Sequence, residues 1–300
     1  MHEPLISVII PTFNRSNIVI NTIRNVMSQT WSNLQIIIID DCSTDETKKV
    51  ILAINDFRIN YIKTKKNIGC AGSRTLGIQN ATGEFVTFLD DDDLWDPNYI
   101  RNQFKIFKQN PLIDVVICNY IVQKNQNKSY VRDMKPFAKN FKKIIHQSPG
   151  PFFQCSMFKH SILNNIEELL DSNAIPSEDW DFFMNLSMRN PLFEYSEQNG
   201  FIWNYTQSSQ SANLELEGQS LSYIVEKHKQ AILQLCGKII LSNHYRKIAS
   251  IYENAENINS AKKYYYKAFY TSPWWWKNII YYIIILLNPS MNIYKKFRKI

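Results

Sequence analysis

The chain has little that would staple it covalently or carry it through a membrane. Its five cysteines, Cys42, Cys70, Cys118, Cys155 and Cys236, are scattered and never form a C-x-x-C pair. That argues against a disulfide framework or a cysteine zinc site and points to reduced thiols in a cytosolic chain. The five histidines, His2, His146, His160, His228 and His244, show no metal-ligand spacing. No run of 18 apolar residues occurs, and the nearest approach, Ile279 to Leu287, is too short to span a bilayer. The opening Met1-His2-Glu3-Pro4 carries neither a basic nor an apolar signal region, so no secretory signal is expected. Also missing is a glycine-rich, Lys/Arg-bearing phosphate loop after the first apolar run, where the chain reads Pro11-Thr12-Phe13-Asn14.

What is present suffices for a folded protein. Of 300 residues, 45% are apolar and 20% charged, enough to bury a core and to exclude wholesale disorder. The net charge of +7 and a pI near 9.0 invite nucleic acid, an anionic membrane or an acidic substrate. Its distribution narrows that choice. Residues 257–300 hold eight Lys/Arg and no Asp/Glu, whereas residues 1–256 hold 26 against 27. The first part is therefore nearly neutral, and nucleic-acid binding, which needs basic residues spread over a groove, is not expected.

Apolar runs and breakers organise the chain. Ile6 to Ile10, ended by Pro11, reads as a buried parallel strand, and Ser16 as the cap of a helix with Val19, Ile23 and Val26 on its inner face. Leu34 to Ile39 reads as a second strand, with a capping box of Ser43 and Glu46 opening the next helix. Further strands fall at Ile59–Lys63, Glu84–Leu89 and Val115–Val122, and a helix at Gly69–Asn80. Asp96-Pro97 marks the start of another helix. This alternation implies a doubly wound, mostly parallel sheet with its ligand site at the carboxyl ends of the strands. From Lys124 to Gly150 strand signals are weak. Residues 1–214 are expected to form the α/β domain and residues 215–300 an α-helical appendage. There, Tyr245, Ala249 and Tyr252 face Ala261, Tyr265 and Ala268 in a pair resembling one tetratricopeptide-type unit. Tyr264 to Tyr266 read as helix packing rather than a sugar platform.

Three polar clusters arrive at one sheet edge: Thr12-Phe13-Asn14, Asp40-Asp41 and Asp90 to Asp93. Four adjacent carboxylates repel one another, and no Lys or Arg lies within seven residues of the run on either side. A divalent cation shared with substrate phosphates would neutralise it, hard oxygen ligands suiting Mg²⁺ or Mn²⁺; a solvated acidic loop is the plainer alternative. One carboxylate of Asp40-Asp41 can accept from a base or ribose, or simply shape a turn. Asn67-Ile68-Gly69 through Arg74 combines glycines, a helix start and an arginine able to meet a phosphate or brace the acidic site, unless it is merely a helix start. Glu178-Asp179-Trp180-Asp181 opens an apolar helix, where acids also suit the helix dipole.

Taken in order, from Ser7 to about Leu186, these segments resemble the inverting family-2 glycosyltransferases of the GT-A fold. Ser7 to Arg15 resembles the family's opening strand and nucleotide-contacting turn, Ser28-Gln29-Thr30-Trp31 its first helix end, and Ile38 to Asp45 its uridine-binding turn. Asn67 to Arg74 and Gly83-Glu84-Phe85 continue the pattern into Asp90-Asp91-Asp92-Asp93. The resemblance implies a transferase moving a sugar from a UDP-sugar to a glycan acceptor, lipid-linked or belonging to a cell-surface polysaccharide, by a single metal-assisted displacement with inversion. It implies that Asp41 accepts from uracil, with Pro11, Thr12, Asn14, Arg15, Asn67, Gly69, Arg74, Asp90 and Asp91 on the donor side. Asp92 would ligate Mn²⁺ or Mg²⁺, with Asp90 joining through water. Asp179 would be the general base, supported by Asp93, Glu178 and Trp180. Three departures stand out. Cys42 sits where the family usually has glycine or a small residue. Trp203 to Ser211 lacks the family's frequent histidine, leaving Gln207, a hydroxyl or greater reliance on the metal. Asn164 to Glu168 lacks a glycine-rich turn.

Two other readings compete. A nucleotidyltransferase also sets acids beside a nucleotide, but Pro11-Thr12-Phe13-Asn14 is not its phosphate loop. A non-catalytic scaffold acting through the helical appendage conflicts with intact Asp41, Asp92 and Asp179. At the end of the chain, Trp274-Trp275-Trp276-Lys277, an apolar stretch and Lys295-Lys296-Phe297-Arg298-Lys299 form an aromatic and basic segment. Residues 264–300 carry 12 of the chain's 40 aromatics. Such a segment over residues 274–300 fits attachment to an anionic bilayer, on the cytoplasmic face, or a helix closing the appendage.

Overall fold

The computed structural model describes residues 3–125, 128–165, 169–204 and 213–287. The chain divides into two compact units. The first takes Met1–Ile145, Pro149–Ser172 and Glu178–Thr206; the second takes His146–Ser148, Asn173–Ser177 and Gln207–Ile300.

The first unit is built on β1 (Ile6–Thr12), whose seven side chains are all buried. A strand covered on both faces needs a continuous apolar run, which Ile6 to Ile10 supplies. It pairs in parallel with β2 (Leu34–Asp40), Ile6 opposite Leu34, which pairs in turn with β3 (Ile59–Lys63). On its other side lies β4 (Phe85–Phe88), with Ile6 opposite Phe85. β1 runs two residues beyond the expected stop at Ile10. Ile9 faces β4, its carbonyl accepting from Leu89 N at 3.0 Å, so Pro11 faces the same side just after β4 has ended. Its missing N–H therefore leaves no ladder bond unfilled.

Beyond β4 the sheet becomes mixed. β8 (Ser156–Lys159) is antiparallel to β4 and to β6 (Val115–Asn125), and β6 is parallel to β9 (Phe193–Asn204). β5 (Leu94–Trp95) closes the far edge against β9, and β7 (Lys128–Arg132) forms a hairpin with β6. The order is β3-β2-β1-β4-β8-β6-β9-β5. An α/β sheet is thus present as expected, but it is mixed rather than mostly parallel: parallel pairs join β1 to β4 and also β6 to β9, and the other pairings are antiparallel.

The helices that place the site are α1 (Val19–Met27), α2 (Thr47–Leu52), α3 (Gly69–Gln79), α4 (Tyr99–Gln109) and α7 (Glu178–Ser187), with α5 (Lys135–Lys139) and α6 (Phe141–Gln147) between the last two. α1 buries Val19, Ile23 and Val26 as expected, but Ser16 does not cap it: Ile18 holds that position with no side-chain bond. Nor do Ser43 and Glu46 form a capping box. Ser43 Oγ is taken by Asn14 N at 2.8 Å, and Asp45 Oδ1 accepts from Thr47 N at 3.0 Å. Asp96 and Pro97 precede α4 by two residues, with Asp96 Oδ1 accepting from Asn98 N at 2.8 Å. α3 lies close on β1 because it presents Ala71 and Gly77: a Cβ at Gly77 would come within 2.4 Å of Ile9 Cγ2.

In the second unit, α8 (Leu214–Lys227), α9 (Lys229–Asn254) and α10 (Ile258–Thr271) are followed by α11 (Trp276–Leu287). α9 is kinked at Gly237, whose φ of 82° breaks the helix. The expected small-residue contact between α9 and α10 is present, with Ala249, Ala261 and Ala268 fully buried. Tyr252 stacks on Tyr264, and Tyr265 donates its hydroxyl to Glu253 at 3.0 Å, so these tyrosines serve helix packing. His244 is likewise structural: burial pushes its imidazole down to about 4, and it meets the His146 carbonyl at 2.9 Å.

Gly83, in the turn before β4, is buried and donates to Ser7 Oγ at 2.9 Å. An added Cβ would lie 2.7 Å from Ser7 N and 2.8 Å from Leu5 O, both backbone atoms that cannot yield. Gly83→Ala is therefore expected to lower stability by about 1–3 kcal/mol, outweighing the ~0.4–1 kcal/mol gained by stiffening the unfolded chain. A urea midpoint equal to or above the parent's would contradict this.

Candidate active site

The carboxyl ends of β1, β2 and β4 converge as the sequence suggests. Asp41 N donates to Thr12 O at 2.8 Å, tying the turn after β2 to the end of β1. Asn14 adopts φ 52°, a conformation open to asparagine, and its Oδ1 accepts from Thr44 N at 2.8 Å. Asp41 is buried, and its carboxylate receives Ile68 N and Gly69 N, both at 2.8 Å, and Thr64 Oγ1 at 3.2 Å. It thereby holds Gly69, at φ 74°, and the exposed Asn67 beside the strand ends. Cys42 has φ 66°, which gives a physical reason for glycine at this position.

Each acid of the run has a different environment. Asp90 accepts from Arg74 Nη2 at 2.8 Å and from Gln154 Nε2 on its other oxygen. Asp91 is buried and accepts from Thr12 Oγ1 at 2.5 Å; burial pushes it up to about 7, the Asp92 and Asp90 charges adding to the rise and Thr12 and Arg15 opposing it. Asp93 is also buried, and burial followed by the charges of Asp90 and Asp92 holds it well above the carboxylate range. Its Oδ1 accepts from Asn204 N at 3.3 Å. Asp92 has the most exposed side chain of the four, 39% against 30% for Asp90, with Arg15 Nη1 3.5 Å from its Oδ2. Burial and the Asp90 charge raise it as well. Thr22 pins the main chain of the run by donating to Asp91 O at 2.9 Å and sharing Asp93 O at 3.2 Å.

Arg74 departs from its expected place among the donor contacts. It is buried, with Nη2 on Asp90 and Nη1 on Glu178 Oε1 at 2.8 Å, and its guanidinium carbon lies 4.7 Å from the Phe153 ring centroid. With both ends engaged by carboxylates it braces the acidic site, the other role the sequence left open. The reason is charge: it is the cation nearest two carboxylates on different elements. Asp179 follows Glu178 on the first turn of α7. Burial pushes Asp179 up to about 8, with the Glu178 charge adding to the rise and Arg74 opposing it. Trp180 points into the core, its Nε1 donating to Ile145 O at 2.8 Å, so its support is packing. Pro11 is buried within β1.

Sequence reasoning missed Gln154, Thr22 and Asn204. Gln154 is buried, anchored by Trp95 Nε1 donating to its carbonyl at 2.7 Å, and its Oε1 has no hydrogen-bond partner. Asn204 donates through Nδ2 to Asp92 O at 3.1 Å. None lies in a motif, and long-range pairing across β9 and β5 has no local signal. The segment without the family's histidine lies mostly outside the described residues, as do Ile166 to Glu168.

The donor set suits a divalent cation bound jointly with a ligand. Among the described residues no three His, Cys, Asp or Glu side chains are disposed to hold a metal by themselves. Asp91 and Asp93 are committed inward, and Asp92 is partly exposed beside Arg15, its pKa raised first by burial and then by the Asp90 charge. One or two hard oxygens completed by substrate phosphates and water match Mg²⁺ or Mn²⁺ habits.

The comparisons agree with this geometry. The profile of Glycosyl transferase family 2 matches residues 7–167. WcaA of Escherichia coli K12, provisionally assigned as a colanic acid biosynthesis glycosyl transferase, is 30% identical over 65% of this chain and 69% of its own. The glucosyltransferase WfaP of Escherichia coli, named for UDP-Glc and α-D-GlcNAc-diphosphoundecaprenol, is 37% identical over 40% of this chain and 48% of its own. An uncharacterised glycosyltransferase of Rickettsia typhi is 32% identical, with 62% of its length matched, so the chain spans only part of these relatives. Staphylococcus aureus TarS 1-349 in complex with UDP-GlcNAc shares the fold, with TM-score 0.66 at 17% identity over 87% of this chain and 80% of that one. So does the Pyrobaculum calidifontis mannosyltransferase PcManGT with GDP-Man and Mn²⁺, at TM-score 0.58 and 17% identity, over 98% of this chain and 88% of that one. The GT-A-like sheet, the acidic strand end and the sequence match agree: the chain is a glycosyltransferase and belongs to glycosyltransferase family 2.

Proposed function

We propose that this enzyme transfers a sugar from a UDP-sugar to a lipid-linked glycan by a single inverting displacement with a divalent cation. The observation that carries the reading is the buried Arg74 bridge, which joins the acidic end of β4 to the Glu178-Asp179 start of α7. Donor-side acids and a candidate base thereby share one electrostatic unit. A UDP donor and a lipid-linked acceptor are supported by the name of WfaP, and UDP-GlcNAc also occupies the TarS complex.

In this reading Asp41, whose carboxylate also receives Ile68 N and Gly69 N, accepts from the uracil ring, and Thr12 and Asn14 line the nucleoside. Asp92, with Asp90 through water, would hold Mn²⁺ or Mg²⁺. That ion supplies Lewis-acid compensation for the charge developing on the leaving diphosphate. Asp179 accepts the proton of the acceptor hydroxyl as that oxygen attacks the anomeric carbon from the face opposite the diphosphate. One displacement inverts the configuration and requires no covalent intermediate. A carboxylate raised to about 8 is a stronger base than an ordinary aspartate, and Arg74 keeps part of its population ionised. The exposed Arg15 is free to turn from Asp92 toward a phosphate, a role closed to the buried Arg74.

Three outcomes test this. With Mn²⁺, UDP-sugars should be turned over to UDP while GDP-sugars are not, and Asp92→Ala should abolish the difference. Turnover of GDP-sugars alone would refute the donor assignment. Asp179→Asn should retain UDP binding yet lower kcat by about 10²–10⁴-fold, and the parent's kcat/KM should rise with pH along a limb near 8. Retained transfer in the variant would put the base elsewhere. Stability provides the third. Asp91 and Asp179 are raised to about 7 and about 8 in the folded protein, against about 4 unfolded. Between those values the folded state keeps protons that the unfolded chain has released. As far as these groups are concerned, stability should therefore be highest and level below about pH 4, fall between pH 4 and pH 8 and level off above. Mn²⁺ with UDP should raise the melting temperature more at pH 8 than at pH 5. An equal rise at both, or the same rise in Asp92→Ala, would count against the cation site.

A further inference from the structure

α11 is built inside out. Its buried face is led by a polar residue: Asn278 is 1% exposed and donates through Nδ2 to Ala268 O at 3.0 Å and Ser272 O at 2.7 Å. Both carbonyls lie at the end of α10 and already accept a backbone N–H, Ala268 O from Ser272 and Ser272 O from Trp275, each at 3.2 Å, so the Asn278 amide gives each a second donor. Tyr281 stacks on Tyr265 and Tyr282 on Phe269, completing that face. This contact dictates which side turns outward. Trp276, Ile280 and Ile283, at i, i+4 and i+7, form one stripe and are 56%, 47% and 46% exposed. Tyr270 at 72% and Trp274 at 93% lie just before it in the chain. A helix face in contact with water ordinarily carries polar residues at these positions. Here the only charged residue between Trp276 and Leu287 is Lys277, whose ammonium lies 5.3 Å from the Trp276 ring centroid.

We propose that this face lies on an anionic bilayer, with α11 parallel to the surface. At 12 residues the helix is about 18 Å long against a hydrocarbon core of about 30 Å, so it lies on the membrane rather than crossing it. No helix among the described residues is long and apolar enough to cross. Tryptophan and tyrosine prefer the boundary between headgroups and acyl chains, and Lys277 can extend its ammonium to the headgroups. The charge selects the occupant. Residues 257–300 carry eight Lys/Arg and no acid, so an anionic surface attracts this segment whereas a second copy of it repels. The basic run Lys295 to Lys299 lies outside the described residues and enters only through this count. The inference stands apart from the proposed donor and base, since no residue of the acidic site takes part.

The test uses the full chain and vesicles of phosphatidylcholine with or without phosphatidylglycerol. The parent should float with the phosphatidylglycerol vesicles, float less with pure phosphatidylcholine, and show a blue-shifted tryptophan emission when bound. Ile280→Ser with Ile283→Ser should lower the bound fraction at least about tenfold, while far-UV circular dichroism and UDP release stay at the parent's level. Lys277→Glu should weaken binding to the anionic vesicles alone. Equal flotation of parent and double variant, or no flotation of the parent, would overturn the proposal. So would a concentration-dependent dimer in sedimentation velocity that the double variant abolishes, because the face would then belong to a second copy.

Discussion

The site depends on one buried cation. Arg74 brings a guanidinium out of water and sets it between Asp90 and Glu178, which belong to segments more than eighty residues apart in sequence. Moving an arginine inside costs several kcal/mol, and only close, well-oriented carboxylates offset that cost. Both of its partners are at 2.8 Å, and the Phe153 ring covers its face. The arginine reaches this position because α3 rides close on β1, and that approach exists because Gly77 has no Cβ to meet Ile9. A packing constraint in the core thus sets the geometry of the charged site.

A single arginine does not balance the acids it serves. Asp91, Asp92, Asp93 and Asp179 all stand above the ordinary carboxylate range, and burial leads the causes in each case. The protein could have neutralised them with more lysine or arginine, yet Asp91 is answered with the Thr12 hydroxyl and Asp93 with an Asn204 amide. Hydroxyls and amides hold a carboxylate's geometry without cancelling its charge. The site therefore keeps a standing demand for positive charge and leaves Asp92 as the most exposed carboxylate of the run to express it. An arrangement that satisfied its own charge would have less reason to favour a cation arriving with a diphosphate.

The legible parts of the sequence were those with strong local signals. β1 to β4 carry continuous apolar runs, and their ends appear within a residue or two of where those runs stop. The acidic edge was legible because each cluster follows such a run. The helix caps were misread because Ser43 and Asp45 are drawn to Asn14, Ser16 and Thr47 across the turn, competing pairings that local spacing does not reveal. β7 to β9 were missed for a different reason. β8 has only four residues, and β9 interrupts its alternation with Gly200 and with register shifts against β6. Arg74 was legible as a residue of interest, but its choice between a phosphate and a carboxylate depends on burial. Gln154 and Thr22 act through partners more than sixty positions away, so nothing near them in sequence marks them.

The same physics decides where polar groups turn at both ends of the chain. In the acidic site, the buried carboxylates of Asp91, Asp93 and Glu178 each meet a donor on another element. In α11, the Asn278 amide is buried where it donates to two carbonyls at the end of α10, each of which also has a backbone donor. That anchoring, rather than the average hydropathy of the helix, sets which of its faces turns inward. The exposure of Trp276, Ile280 and Ile283 is then a consequence of which face of α11 the Asn278 amide anchors. The +7 net charge follows the same division. It resides in residues 257–300, beside those exposed aromatics, while residues 1–256, which carry the acidic site, stay close to neutral.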